Sequence, residues 1–89
     1  MATPAAAAER LRVLRDEIFA QGYNSQREFS QASGVPEVRL SAIIRGRAHA
    51  TIDEMTAIAH TLKKSRAYLF GEDGVAAAKI RAMLRRKVS

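Results

Sequence analysis

The chain has 89 residues, 15 of them basic and 9 acidic, for a net charge of +6 and a sequence pI near 10.5. That length holds one small domain around one core. The absence of cysteine excludes a disulfide framework, a thiolate metal site and a cysteine nucleophile, and fits a reducing cytoplasm. No apolar run approaches the ~20 residues of a membrane span, and Met1 to Ala8 lacks the basic start and large apolar segment of an export signal. The reading is therefore a soluble, cytoplasmic protein. Seventeen apolar residues are alanine, which leaves 25 larger ones for a core; with no tryptophan, five glycines and two prolines, this favours an all-α fold. Residues 1–44 carry five basic and five acidic groups, whereas residues 45–89 carry ten and four, so the positive excess lies in the second half. A polyanionic partner is the first expectation.

In chain order, residues 1–8 (MATPAAAA) are expected to be a flexible segment, although alanine's high helix propensity allows it to extend the helix that follows. Leu11, Leu14 and Ile18 recur at steps of three and four among charged residues, predicting an amphipathic first helix that ends near Gly22. Ser25-Gln26-Arg27-Glu28 has the form of a capping box, and a short second helix follows with Phe29 and Ala32 as its apolar side and Gly34 at its close. Val35-Pro36 opens a third helix with Leu40, Ile43 and Ile44 facing inward and Gly46 at its end. Thr51-Ile52-Asp53-Glu54 is a second capping box, behind which Ile52, Met55, Ile58, Ala59 and Leu62 keep helical spacing. Ser65 caps a short fifth helix bearing Tyr68, Leu69 and Phe70, and Gly71 and Gly74 interrupt the chain. Residues 75–88 form a last helix in which Val75, Ile80, Met83 and Leu84 are apolar and Lys79, Arg81, Arg85, Arg86 and Lys87 basic.

Two short helices joined by a glycine turn allow the second of them to project into a groove. Gln26, Phe29, Gly34, Val35, Leu40, Ile43 and Gly46, in that spacing, resemble the helix-turn-helix of the Cro and phage-repressor (XRE-like) family. Thr51 to Leu62 resembles that family's fourth helix and Ser65 to Phe70 its closing turn, so the resemblance covers roughly residues 9–70. It implies a compact, lambda-repressor-like bundle of five to six short helices, with residues 71–89 as a packing or dimerisation extension. Ser30 stands where the two helices cross and the family usually has alanine. Ile44 replaces a common acidic residue, Ala50 a frequent proline, and Lys63-Lys64 a frequent glycine and apolar residue.

The resemblance also implies an interface. Gln26 and Arg27 at the start of the second helix fall at phosphate or base contacts, Glu37, Val38, Arg39, Ser41 and Ala42 along the third helix fall near base edges, and Arg45 and Arg47 near the backbone. Glu37 can accept from a cytosine amino group, and Val38 or Ala42 can touch a thymine methyl, but neither offers the paired hydrogen bonds of arginine to guanine; Arg39 is the preferred base reader. Each has a plainer role: Glu37 suits the helix dipole without DNA, Arg39 can solvate an exposed face, and Val38 can be core or a protein contact.

The expected function is a cytoplasmic, repressor-type transcription regulator that binds double-stranded DNA as a homodimer, two half-sites providing what one short helix cannot. The alternative is a module of the same fold, antitoxin-like or an anti-activator, that binds a protein. The last helix can pack on the domain, pair with a second copy or lie on a membrane surface; its stripe is interrupted by alanines and lacks an aromatic anchor, which disfavours the membrane. No catalytic residue, metal ligand or cofactor is expected. His49 and His60 are the two histidines and lack ligand spacing, and Asp53-Glu54 is explained by helix capping.

Overall fold

The computed structural model describes residues 4–88, with side chains for residues 12–86. Among the described residues there are six helices and no strand: α1 Pro4–Ala20, α2 Gln26–Ser33, α3 Glu37–Ile44, α4 Ile52–Leu62, α5 Arg66–Phe70 and α6 Glu72–Val88. The backbone is helical from Pro4, so the alanine run belongs to α1; proline's fixed φ suits a first helical position, and alanine is the strongest helix former. Met1, Ala2 and Thr3 lie outside the described residues, as do the side chains of Arg10, Leu11 and Lys87.

Leu14 and Ile18 of α1, Phe29 of α2, Leu40, Ile43 and Ile44 of α3, four residues of α4 and Leu69 of α5 form one buried cluster. α2 packs on α3 and α4, α5 joins α1, α4 and α6, and α6 rests on α5 and α4. Ala32, expected in the core, is exposed. The inward stripe of α2 is Gln26, Phe29, Ser30 and Ser33, spaced three, four and seven from its first member, and Ala32 falls beside it. The loop before α2 is packed as well. Tyr23 meets Phe29 edge-on with ring centroids 5.0 Å apart, and Gln21 Nε2 donates to the Leu62 carbonyl at 2.6 Å, tying the end of α1 to the end of α4.

The last helix begins three residues earlier than expected, at Glu72, because the break falls at Gly71 alone, whose φ of 78° is closed to the helix. Gly74 is helical, and Glu72 and Asp73 place negative charge at the helix start, where the dipole favours it. Its four apolar residues divide between the body and the outside. Val75 and Ala78 pack on the core, while Ile80, Met83 and Leu84 are 56%, 58% and 58% exposed. The small residues lie against the body, and the large apolar ones face outward.

Three helices end in the same way. After α1, Gly22 N–H donates to the Phe19 carbonyl and Tyr23 N–H to that of Ile18; after α3, Gly46 and Arg47 donate to Ile43 and Ala42; after α4, Lys63 and Lys64 donate to His60 and Ala59. Each is a paired closure that requires a left-handed residue at its penultimate position. Glycine fills it twice, but the third is Lys63, at φ 56° and ψ 38°. A residue with a Cβ pays about 1–2 kcal/mol there, and glycine's greater unfolded freedom offsets about half of that. Lys63→Gly is therefore expected to stabilise the fold by about 0.5–1 kcal/mol, read as a rise of a few degrees in Tm by calorimetry or circular dichroism. An unchanged or lower Tm contradicts this account of the α4 terminus.

Candidate nucleic-acid interface

The interface is built on two caps and one turn. Ser25 Oγ accepts from Glu28 N–H at 3.2 Å, while the Glu28 carboxylate accepts from Asn24 N–H at 2.8 Å. The glutamate thus reaches one residue beyond the expected box and fixes the entry to α2, where Gln26 is half-buried and Arg27 exposed. Gly34 closes α2 with φ 80° and ψ 0°, its N–H on the Ser30 carbonyl. A Cβ at Gly34 would meet nothing within 4 Å, so the demand for glycine there is conformational and not steric. Ser30 Oγ donates to the Val35 carbonyl at 2.6 Å, and Ser33 Oγ accepts from Val35 N–H at 3.3 Å. The hydroxyl at the helix crossing thus ties the turn across its own mouth.

α3 leaves that turn with Pro36 as its capping residue and Leu40, Ile43 and Ile44 buried beneath it. Ile44 fills a core position where the family commonly places an acid. The opposite arc is free of the core. Val38 is 84% exposed, Ala42 and Ser41 are half-buried, and Glu37 and Arg45 are exposed, with Arg47 exposed in the loop beyond. These side chains share an outward surface on and just after α3, as the helical spacing requires.

Arg39, expected to read bases, makes an ion pair within the protein. Its Nε donates to Glu54 Oε2 at 2.8 Å, its Nη2 to Glu54 Oε1 at 2.7 Å, and the same Nη2 to the His49 carbonyl at 3.1 Å. Glu54 Oε1 also accepts from Thr51 N–H at 2.9 Å, and Thr51 Oγ1 accepts from Glu54 N–H at 3.1 Å. One carboxylate therefore caps α4 and grips α3 in a two-pronged ion pair. Arg39 lies on the flank of α3 toward α4, where its guanidinium ties α3 to the start of α4. Nothing in the linear order marks this pair, since the partners stand fifteen residues apart across a loop.

Arg39's hydrogen bonds hold the Glu54 carboxyl below the usual glutamate range, outweighing partial burial, which acts the other way; the same pairing raises Arg39. A carboxyl whose folded pKa is depressed adds stability above its unfolded value, and that stability is lost as pH falls through the folded one. Wild-type stability is expected to drop on acidification from the ordinary glutamate range downward. Glu54→Gln should be less stable at neutral pH and flatter across that window, in denaturant titrations at stepped pH. Parallel pH profiles for the two proteins would show the pair to be idle.

The geometry offers three kinds of contact. Short apolar groups at Val38 and Ala42 can approach a groove floor and touch thymine methyls; Glu37 can accept from a base amino group; Arg45 and Arg47 are exposed cations that can pair with phosphate. The family model described as Helix-turn-helix matches residues 17–69, more than half the chain. The chain belongs to that family, the Cro- and phage-repressor-like (XRE) helix-turn-helix proteins, whose domain is a DNA-binding regulatory unit and not a catalytic one. No curated protein and no solved structure matched. The match begins within α1 and ends at Leu69, so α6 lies outside it. No helix among the described residues is long and apolar enough to cross a membrane.

Proposed function

We propose that the protein is a sequence-specific regulator of transcription that binds double-stranded DNA as a homodimer in the cytoplasm, placing α3 in the major groove of a two-fold operator and blocking or recruiting polymerase there. One observation carries the reading: α3 buries Leu40, Ile43 and Ile44 while leaving Val38 84% exposed, so an eight-residue helix is anchored from behind and open in front. In this arrangement Val38, Ala42, Ser41 and Glu37 meet base edges, Gln26, Arg27, Arg45 and Arg47 meet phosphates, and Arg39 fixes the helix through Glu54. Ile80, Met83 and Leu84, each more than half exposed on one face of α6, supply an apolar surface for a second copy.

Site selection on randomised duplex at two salt concentrations tests the reading. An enriched inverted repeat is expected, its half-sites about one helical turn apart. Arg47→Gln should weaken all sequences alike and reduce the salt slope by about 0.9, the value for one phosphate, whereas Val38→Ser should change the preferred base at one position and leave the slope intact. Absence of duplex binding even at low salt overturns the proposal. It would favour the second reading, a protein-binding module, which draws on the same exposed Val38.

The dimer has its own test. Sedimentation should give twice the chain mass for the wild type and a monomer for Ile80→Asp with Leu84→Asp, the monomer binding an inverted repeat more weakly than the wild type does. A wild type that sediments as a monomer when bound to nothing and binds single half-sites as tightly as pairs would contradict the assembly.

A further inference from the structure

The basic residues of α6 are not accounted for by the helix-turn-helix. A groove of about 670 Å³ runs between α6 and the loop that joins α3 to α4. Arg39 of the recognition helix stands on one side of it, the segment from Ala48 to Asp53 along the floor and rim, and Arg81 and Arg85 on the α6 side. Resting on the DNA reading above, we propose that Arg81 and Arg85 are a second cationic contact to the same duplex, holding phosphates of the backbone that flanks the base pairs met by α3.

Position, charge and packing each support this assignment. Arg81 and Arg85 are four residues apart, hence one turn apart on one face, and both are exposed. The groove borders α3 through Arg39, so a backbone that follows the α4 flank of that helix comes beside it. Asp53 is the acidic residue in its lining, and the Arg39 charge is already met by Glu54, so Arg81 and Arg85 leave the groove cationic. Ala78 and Ala82 also line it and alternate with the arginines; with side chains this small, α6 lies close to the start of α4 and carries its cations to the groove edge. A cation in the last turn of a helix also complements the helix dipole; Arg85 stands in that turn of α6, but Arg81 is two turns from the end and is not explained so.

The test is duplex binding by the full chain between 50 and 200 mM salt, using the sequence recovered by site selection. Arg81→Gln with Arg85→Gln should lower the salt slope by about 1.8, so that the affinity lost across that range is about twelvefold smaller than for the wild type. The preferred sequence and Tm should be unchanged. Lys79→Gln removes the same charge from an exposed position outside the groove and should leave the slope at the wild-type value. A wild-type slope in the double variant, or an equal loss per charge from Lys79→Gln, overturns the α6 contact while leaving the DNA reading standing. Failure of the wild type to bind duplex at the lower salt overturns the DNA reading, and the α6 contact with it.

Discussion

An eight-residue helix does not hold its shape alone in water, because the first turn fixes several dihedral angles for a single hydrogen bond. α3 is such a helix, and the orientation of its exposed arc has to be fixed by the rest of the molecule. Leu40, Ile43 and Ile44 fix it from beneath by burial. The turn at Gly34, drawn together by Ser30 and Ser33, fixes its start, and the Arg39–Glu54 pair holds its flank to α4. That pair is partly exposed, and such ion pairs contribute little to overall stability. Its importance here is directional, since a two-pronged contact resists rotation of α3 about its axis in a way that apolar packing does not.

The same economy of attachment shapes α6. A helix that lays alanines against the body approaches closely and leaves its larger side chains for other surfaces. Around α6, Ala78 and Val75 pack inward, the arginines at 81 and 85 flank the groove beside α3, and Ile80, Met83 and Leu84 point away. One helix thus carries an apolar and a cationic group of side chains about a third of a turn apart.

Where the chain departs from the common pattern of its family, the neighbouring structure absorbs the change. Ile44, in place of an acid, deepens the core under α3. Ser30, in place of alanine, closes the turn with a hydrogen bond. Ala50 is buried in the α3–α4 loop, where the family often has proline. Lys63 is the exception, since it occupies a left-handed position without glycine's freedom. It is exposed, and Lys64 beside it gains contacts, 3.7 Å from Glu17 and 5.5 Å from the centre of the Tyr68 ring, which hold the closure of α4 against α1 and α5.

The helices, their caps and most of the core were legible because they depend on local chemistry: a serine or threonine accepting from the first turn, a glycine permitting a left-handed backbone, apolar residues repeating every three or four positions. The outward positions of α3 came from the resemblance to the Cro and repressor helix-turn-helix; the structure buries Leu40 and Ile43 and leaves Val38 exposed. The partner of Arg39, the half of α6 that packs and the groove between α6 and the α3–α4 loop were settled by tertiary structure alone. Periodicity specifies that a helix has two faces but not which neighbour each will meet. A cation's role depends on whether a carboxylate fifteen residues away is brought within reach, and only the folded chain sets that distance.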